Sequence, residues 1–256
     1  MAIAYRSKTE IDGLRRAGRV VMEILTTLRD TVRPGVTTGE LDELARAELK
    51  KHGATSNFAG YSPAKGIPPF PGVICASVND AIVHGVPGKR VLTEGDIISI
   101  DFGAIVDGWH GDSAITVPVG EVTPETQRLL DVTQEALRLG IAQAKPGKRV
   151  FDITRAVQSY VEAAGFSLVR QYGGHGIGHT LHEDPWIPNY LDTSRPNPLL
   201  RPGMVFCVEP MVNAGRPGTR ELSDHWTVVT SDGSRSAHFE HTIAIMHGDP
   251  DILTAS

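Results

Sequence analysis

Four carboxylates in this chain stand in apolar surroundings where a solvated acid is not expected. Asp101 lies in IISIDFG, Glu209 in VFCVEPMV and Glu240 in AHFEHTIAI, while Asp112 belongs to the strand predicted after Asp101. Any one of them alone would be better interpreted as an acid facing water, because most acids are exposed. Four buried acids, however, would repel one another unless a positive charge compensated them. The pattern therefore predicts a site for divalent cations.

The segment GGHGIGHTLHEDP, residues 173–185, adds histidines to the candidate ligands. His175 and His182 are seven residues apart, so a straight strand would place them on opposite faces. The glycines weaken any regular structure, and a kink there would bring both side chains to one site. His110 and His179 are expected to line loops, because nothing pairs them with the acids. Three histidines near Glu240 are expected to contact and orient the metal ligands without binding the metal themselves: His225, His238 and His241.

The predicted ligand set is rich in oxygen, with one or two histidines and little sulfur. Such a set suits Mn, Fe, Co or Zn rather than a structural thiolate zinc site. Four acids exceed what one ion usually needs. Two ions about 3.5–4 Å apart, bridged by shared carboxylates and a hydroxide, fit better and form a known hydrolytic arrangement. Ligand types do not select among these metals, because availability decides much of the selectivity.

Capping and periodicity indicate the helices that would support these side chains. Ser7 and Glu10 form a capping-box pattern, and apolar residues then recur every three or four positions until the break at residues 34–35. Thr37 begins a second predicted helix, which ends at Gly53. Two further helices are predicted over residues 124–144 and 151–164.

A β-hairpin is predicted around the first two acids. Residues 96–106 form a buried strand, and Asp107 and Gly108 supply a two-residue turn. A tight turn pairs residue 106 with residue 109, so that 101 lies opposite 114. Asp112 is two residues from that position and therefore points to the same face of the sheet as Asp101.

Three pairs of segments recur in the same order along the chain and indicate two related halves. The matched segments are 34–53 with 146–165, LTEGDIISID ending at Asp101 with LRPGMVFCVE ending at Glu209, and DSAITV from Asp112 with EHTIAI from Glu240. We therefore predict a single catalytic domain over residues 1–256, built from halves of about 7–120 and 121–250. The fold class is α+β, with helices covering one side of a central sheet.

Composition limits the function classes further. The 256 residues carry a formal charge of −5 with acids and bases mixed, which argues against a protein built mainly to bind nucleic acid. Cys75 and Cys207 lie in apolar runs and are predicted to be buried free thiols in a reducing compartment. The N-terminus has no apolar signal region, and no stretch is long enough to span a bilayer. We expect a cytoplasmic protein that does not act on membranes.

Taken together, these segments resemble the type I methionine aminopeptidases, which have the pita-bread metallohydrolase fold. The matching segments are VNDAIVHGVPG around His84, SIDFGAIVDGWHGD with Asp101 and Asp112, GGHGIGHTLHEDP with His175 and His182, FCVEPM with Glu209, and HFEHT with Glu240. They cover essentially the whole chain in the family's order and spacing. The resemblance implies a pseudo-twofold repeat with a central antiparallel sheet.

The same resemblance implies a metallo-aminopeptidase that removes the N-terminal methionine from nascent proteins and peptides and prefers a small second residue. Asp101 would bind one metal ion, and His175 and Glu209 would bind the other. Asp112 and Glu240 would bridge the two ions, and the bridging water would attack the first peptide carbonyl. The implied enzyme is a monomer that contacts the ribosome transiently.

Further roles follow from the resemblance alone. Glu209 would also shuttle a proton, His182 would stabilise the developing oxyanion, and His84 would engage the substrate amide. The implied walls of the methionine pocket are Tyr61, Cys75, Leu181, Met211 and Trp226. The stretch Ser62–Gly72 departs from the family in being longer and richer in proline. It would either reshape the pocket entrance or form a stiff surface loop.

Three alternatives compete with this interpretation. A proline-specific peptidase of the same fold is disfavoured, because such enzymes typically carry a large N-terminal domain, whereas the first helix here begins near residue 8. A catalytically inactive relative that binds peptides, proteins or nucleic acid would be expected to have lost metal ligands. A metal-free hydrolase resembling creatinase would have other residues at the four acidic positions. Neither change is found in this sequence.

Overall fold

The computed structural model describes residues 2–255 and contains four helices in that range: α1 (Lys8–Thr31), α2 (Thr38–Lys51), α3 (Pro124–Ala142) and α4 (Val150–Ala163). All four were predicted to within a few residues. The capping boxes of Ser7 with Glu10 and of Thr37 with Glu40 are both formed, so side chains satisfy the first free N–H groups of α1 and α2. None of these helices is both long enough and apolar enough to cross a bilayer.

Fifteen strands connect and follow these helices in the described residues. In chain order they are β1 (Thr55–Ser56), β2 (Ile74–Val78), β3 (Ala81–Val83), β4 (Ile97–Val106), β5 (Trp109–Pro118), β6 (Ser167–Leu168), β7 (Gly173–Gly176), β8 (Glu183–Pro188), β9 (Val205–Val208), β10 (Met211–Asn213), β11 (Thr219–Glu221), β12 (Val228–Thr230), β13 (Ser236–His238), β14 (Glu240–Ala244) and β15 (Asp251–Ile252). Two three-stranded sheets, β13-β10-β6 and β11-β12-β3, accompany a nine-stranded main sheet.

The main sheet is antiparallel and runs in the order β1-β4-β5-β14-β9-β7-β8, with β2 also paired to β4 and β15 to β14. The predicted hairpin is confirmed, because Val106 pairs with Trp109 and Asp101 pairs with Ala114. The first half of the chain supplies β4 and β5, and the second half supplies β9 and β14. These two pairs meet where β5 lies against β14, so the centre of the sheet joins the two parts of the chain.

The helices pack on one face of the main sheet, as predicted. Residues of α1 and α2 share an apolar cluster with Ile98, Ile100 and Phe102 of β4. Residues of α3 and α4 share a second cluster with Phe206 and Val208 of β9. Because successive side chains of a strand point to opposite faces, the residues that alternate with these apolar ones face away from the helices.

Candidate active site and metal centre

The four acids predicted as metal ligands lie on neighbouring strands at nearly one level of the main sheet. Asp101 pairs with Ala114, and Ala114 pairs on its other side with Glu240. Glu209 follows the last residue of β9, and the register of β14 with β9 places it beside Glu240. Asp112 lies two residues before Ala114 and on the same face. The sheet therefore brings all four carboxylates to the face opposite the helices.

His175 on β7 faces two of these acids. Its Nε2 atom is 3.9 Å from Asp112 Oδ2 and 3.9 Å from Glu209 Oε1. Its Nδ1 atom is 3.0 Å from the carbonyl oxygen of Gly176, which can only accept a hydrogen bond. Nδ1 therefore carries the proton, and burial lowers the pKa of His175 to about 3, so the ring is neutral at pH 7. Nε2 then presents a lone pair to the acids, as a metal ligand must.

His182 reaches the same site through a loop. The rings of His175 and His182 lie 4.4 Å apart, as predicted for two histidines at one site. The expected kinked strand is not formed, because β7 ends at Gly176, residues 177–182 form a loop and β8 begins at Glu183. Since β7 and β8 are antiparallel neighbours, the two ends of this loop return to the same place. A side chain at Gly176 could not be accommodated, because its Cβ would lie 2.2 Å from the Asp184 carbonyl oxygen.

The oxygen and nitrogen atoms that face this site are suited to bind a cation. Three buried carboxylate oxygens have no hydrogen-bond donor within the described part of the chain: Asp101 Oδ1, Asp112 Oδ1 and Glu240 Oε1. A buried acceptor without a partner is costly, and a cation would satisfy all three. One potential ligand atom from each of four side chains lies within 4.8 Å of the others: Asp112, His175, Cys207 and Glu240. A second group of this kind contains Glu209, His238 and Glu240.

The raised pKa values of the four acids also favour a bound cation. Burial raises the pKa of Asp101 from 3.8 to about 7. Burial and then the charge of Asp101 raise the pKa of Asp112 and of Glu209 well above the ordinary value. Burial and then the charge of Asp112 do the same to the pKa of Glu240. Each carboxylate thus opposes ionisation of the others, and divalent cations would relieve that repulsion.

A cavity of about 320 Å³ opens onto the acids. All five predicted metal ligands line it, together with His84 and His182 and four of the predicted pocket residues: Tyr61, Cys75, Leu181 and Trp226. Met211 does not line it, which corrects that prediction. Its side chain is completely buried among apolar neighbours in a separate cluster with Ile82, Val83, Val169 and Val228.

Two neutral imidazoles face the cavity beside the acids. His84 follows β3 with a φ of 58°, which is uncommon for a residue with a side chain. Burial lowers the pKa of His84 to about 4, and its ring packs edge-on against Tyr172 with centroids 5.5 Å apart. Burial also lowers the pKa of His182, whose Nδ1 lies 3.5 Å from the hydroxyl oxygen of Tyr61. Both rings can therefore donate or accept a hydrogen bond near neutral pH.

The other histidines are divided between the site and its surroundings. His238 fits the predicted supporting role, since its Nε2 is 3.6 Å from Glu209 Oε2 and 3.8 Å from Glu240 Oε2. His225 lines the cavity itself, whereas the ring of His241 bonds to a threonine hydroxyl near the C-terminus at 2.9 Å. Two histidines are not part of the cavity lining: His110 and His179. His179 lies in a loop, as predicted, whereas His110 lies in β5, which corrects the prediction that it lines a loop.

Part of the cavity wall and one member of the ligand cluster, Cys207, were not predicted from the sequence. Six aromatic and apolar side chains that were not predicted are part of the wall: Phe58, Pro63, Ile67, Phe70, Tyr172 and Trp186. Half of them come from Ser62–Gly72, whose high proline content was the available signal. The Trp226 indole N–H donates to the carbonyl oxygen of Pro68 at 2.9 Å, so this stretch is bound to the wall and is not a free surface loop. Cys207 was predicted only to be a buried free thiol, which it is.

Known proteins resemble this chain over nearly its whole length. The pattern of metallopeptidase family M24 matches residues 12–247. Methionine aminopeptidase 1 from Bacillus subtilis is 50% identical over 252 residues, which are 98% of this chain and 99% of that protein. The crystal structure of methionine aminopeptidase from Thermotoga maritima superposes with a TM-score of 0.94 at 40% identity and covers 100% of both chains. Xaa-Pro dipeptidase from Bacillus anthracis, at 24% identity and a TM-score of 0.77, shares the fold, and the match covers 98% of this chain and 62% of that one.

Proposed function

The chain belongs to metallopeptidase family M24, and on that premise we propose how its residues remove an N-terminal methionine. The protein is a metal-dependent aminopeptidase that acts on N-terminal methionine. We further infer that it uses two divalent ions, chosen from Co, Mn, Fe and Zn, and that it prefers a small second residue. The observation that carries the metal assignment is the set of three buried carboxylate oxygens that find no hydrogen-bond donor among residues 2–255.

The residues that would hold the ions are Asp101, Asp112, His175, Glu209 and Glu240. Asp101 would serve one ion, and His175 and Glu209 the other. Asp112 and Glu240 would be shared, which is consistent with their almost complete burial, at 4% and 2% exposure. When bound, the ions would supply a water of lowered pKa as the nucleophile and polarise the scissile carbonyl.

The protein's own groups would then handle the proton and the developing charge. The Glu209 carboxylate would accept a proton from the attacking water and pass it to the departing amine nitrogen. His182 would donate a ring N–H to the carbonyl oxygen as negative charge builds on it. His84 would contact the amide nitrogen of the same peptide bond. The neutral state expected for both histidines at pH 7 supports these roles.

The apolar part of the cavity would receive the methionine side chain. Cys75, Leu181 and Trp226 supply a wall without charge, which suits a flexible thioether chain. The Tyr61 ring stands 5.9 Å from the His182 ring, so it limits the room beside the scissile bond. That crowding supports the proposed preference for a small second residue.

The experiment that tests this function compares Met-Ala-Ser, Met-Leu-Ser, Lys-Ala-Ser and Ala-Pro-Ala as substrates. The protein is assayed after chelation and again after addition of Mn, Co, Fe or Zn. We expect release of methionine from Met-Ala-Ser alone or nearly so, and only with metal. Cleavage of Ala-Pro-Ala would keep the metal site but overturn the specificity. Equal rates for Met-Ala-Ser and Met-Leu-Ser would contradict the small-residue preference.

Replacing His84 with alanine is expected to lower kcat roughly 100-fold without loss of bound metal, because the ring would contact substrate and not the ions. Metal content by mass spectrometry and kcat with Met-Ala-Ser measure the two effects. His52→Ala, which alters a histidine at the end of α2 on the protein surface, serves as the control and should behave like the wild type. Wild-type kcat in His84→Ala would remove His84 from the mechanism.

The remaining proposals concern the setting of the reaction. We propose one catalytic domain of two related halves, supported by the way β4-β5 and β9-β14 from the two parts of the chain meet at the centre of the sheet. Peptides with an N-terminal methionine are the substrates implied by the relatives. We propose that the enzyme meets them as nascent chains in the cytoplasm, as a monomer in transient contact with the ribosome.

A further inference from the structure

We propose that Arg6 and Glu183 form a positioning pair that sets the place of His182 in the cavity. The two residues act on the loop of residues 177–182, here called the His182 loop, which presents Leu181 and His182 to the cavity. Neither Arg6 nor Glu183 lines the cavity itself. The inference rests on the proposed function only in that His182 contacts the substrate.

Glu183 holds the His182 loop through its backbone. The Glu183 Oε1 atom accepts the backbone N–H of His179 at 3.0 Å and that of Thr180 at 3.3 Å. It also accepts the hydroxyl of Thr180 at 3.4 Å. These bonds close the loop onto the first residue of β8, which directly follows His182. The carboxylate therefore satisfies N–H groups that β7 and β8 leave unpaired, and it sets the path of the chain into His182.

Arg6 fixes the second oxygen of the same carboxylate. Its Nη2 atom lies 2.6 Å from Glu183 Oε2, and both side chains are largely buried, at 12% and 14% exposure. Arg6 is itself held, since its backbone N–H donates to the Gly203 carbonyl oxygen at 2.7 Å and its guanidinium lies 5.4 Å from the Trp109 ring centroid. Because the pair is removed from bulk water, it is a fixed contact and not an exposed, mobile ion pair.

The loop lies directly on this pair. A Cβ atom at Gly178 would come within 2.0 Å of Arg6 Nη2 and 2.6 Å of Glu183 Oε1, so a larger residue there would displace the ends of these two side chains. On the side of the β4-β5 turn, the His179 ring stacks on the Trp109 ring with centroids 3.7 Å apart. The Gly178 carbonyl oxygen accepts the backbone N–H of His110 at 2.9 Å. The ion pair and the β4-β5 turn therefore hold the loop from two sides.

A shift of this loop would be transmitted to the reacting groups. The His182 ring is 4.4 Å from the His175 ring and next to the Tyr61 hydroxyl, so the position of the ring relative to the acids depends on the loop backbone. Misplacement of a catalytic group by about 1 Å can cost on the order of 100-fold in rate. Loss of the pair is thus expected to act on kcat through His182, with the metal ligands unchanged.

The test is a double-mutant cycle on the metal-loaded full chain with Met-Ala-Ser as substrate. Glu183→Ala should lower kcat roughly 10- to 100-fold with wild-type metal content, and it should have little further effect in the His182→Ala background. Arg6→Ala, which alters the pair from outside the loop, should show the same pattern and serves if Glu183→Ala does not fold. The matched control is Arg15→Ala, which removes a bidentate ion pair between α1 and Asp251 at 2.6 and 2.9 Å and should keep wild-type kcat.

The outcomes separate the two hypotheses. Multiplicative effects of Glu183→Ala and His182→Ala would overturn the positioning role while leaving the proposed function of His182 in place. So would a loss of kcat in Arg15→Ala as large as in Arg6→Ala, because the effect would then follow from general destabilisation. A wild-type kcat in His182→Ala alone would refute the role of His182 itself, and with it this proposal.

Discussion

Replacing Asp112 with asparagine is expected to lower turnover of Met-Ala-Ser by at least about a thousandfold while the protein stays folded. Asp112 is 4% exposed, and one of its oxygens has no donor in the described residues. Asparagine keeps the size of the side chain but offers only one neutral oxygen, so a cation shared at this position would be bound far more weakly. Activity, metal content and circular dichroism of the variant together measure the effect.

The fold should survive because the negative charge of Asp112 destabilises the metal-free folded protein. Burial, Asp101 and Glu209 all raise the pKa of Asp112, which means that its ionised form is disfavoured there. A matched control is Asp96→Asn. Asp96 is buried to a similar degree, but its oxygens accept bonds from Asn79 at 2.7 Å and from the Thr93 N–H at 2.9 Å.

This control variant should lose about 1–3 kcal/mol of stability and keep wild-type turnover of the folded protein. Near-normal rates in Asp112→Asn would break the proposed mechanism. Loss of activity in Asp96→Asn at full metal content would show that removal of a buried aspartate charge can abolish turnover without affecting the metal site. The result for Asp112→Asn would then not support its role as a metal ligand.

In the metal-free protein, Asp101 is expected to contribute a loss of stability on the order of 4 kcal/mol as pH rises from about 4 to about 7. This contribution is measured against Asp101→Asn, because the buried histidines, whose pKa values are lowered, act in the opposite direction over the same range. Burial raises the pKa of Asp101 from 3.8 to about 7 in the folded state. Between these values the unfolded chain releases its proton while the folded chain retains it, so rising pH favours unfolding. Below pH 4 both states are protonated and the difference disappears, whereas above pH 7 the full cost is present.

Urea denaturation of the chelated protein at several pH values measures this dependence. Asp101→Asn is the control, because it cannot ionise and should remove the Asp101 part of the slope. Added Mn or Co should restore stability most strongly at the upper end of the range, where the carboxylates are deprotonated and can bind it. A chelated wild-type protein whose stability is flat or rises over this range, relative to Asp101→Asn, would contradict the assignment of Asp101 to a buried repulsive cluster.

Local interactions explain why much of the fold was predictable from the sequence. Ser7 and Thr37 begin helices because their side chains bond to N–H groups three residues away, and no distant contact is needed for that. The turn at Asp107 and Gly108 sets the hairpin register through its length alone, which is why the pairing of Asp101 with Ala114 followed directly. The side-chain alternation of a strand then placed Asp112 on the same face.

By itself, then, the sequence determined the chemical character of the site: four acids in apolar settings, two histidines on a glycine-rich segment, and the helices that cover the sheet. Only the tertiary structure decided how these parts meet. Glu240 pairs with Ala114 across 126 residues of chain through a strand contact that no local rule specifies. The same holds for the loop that returns His182 to His175, for the bond from Trp226 to Pro68 and for the contact of Arg6 with Glu183.

Met211 is a residue whose position could not be predicted from its type. Its apolar character suits both a pocket wall and a core, and burial among Val83, Val169 and Val228 was settled by packing. Side-chain type and local spacing indicate which chemical roles a residue is able to fill. Which residues become neighbours depends on non-local strand pairing and core packing, whose free energy is distributed over the whole chain and is not encoded in any one segment.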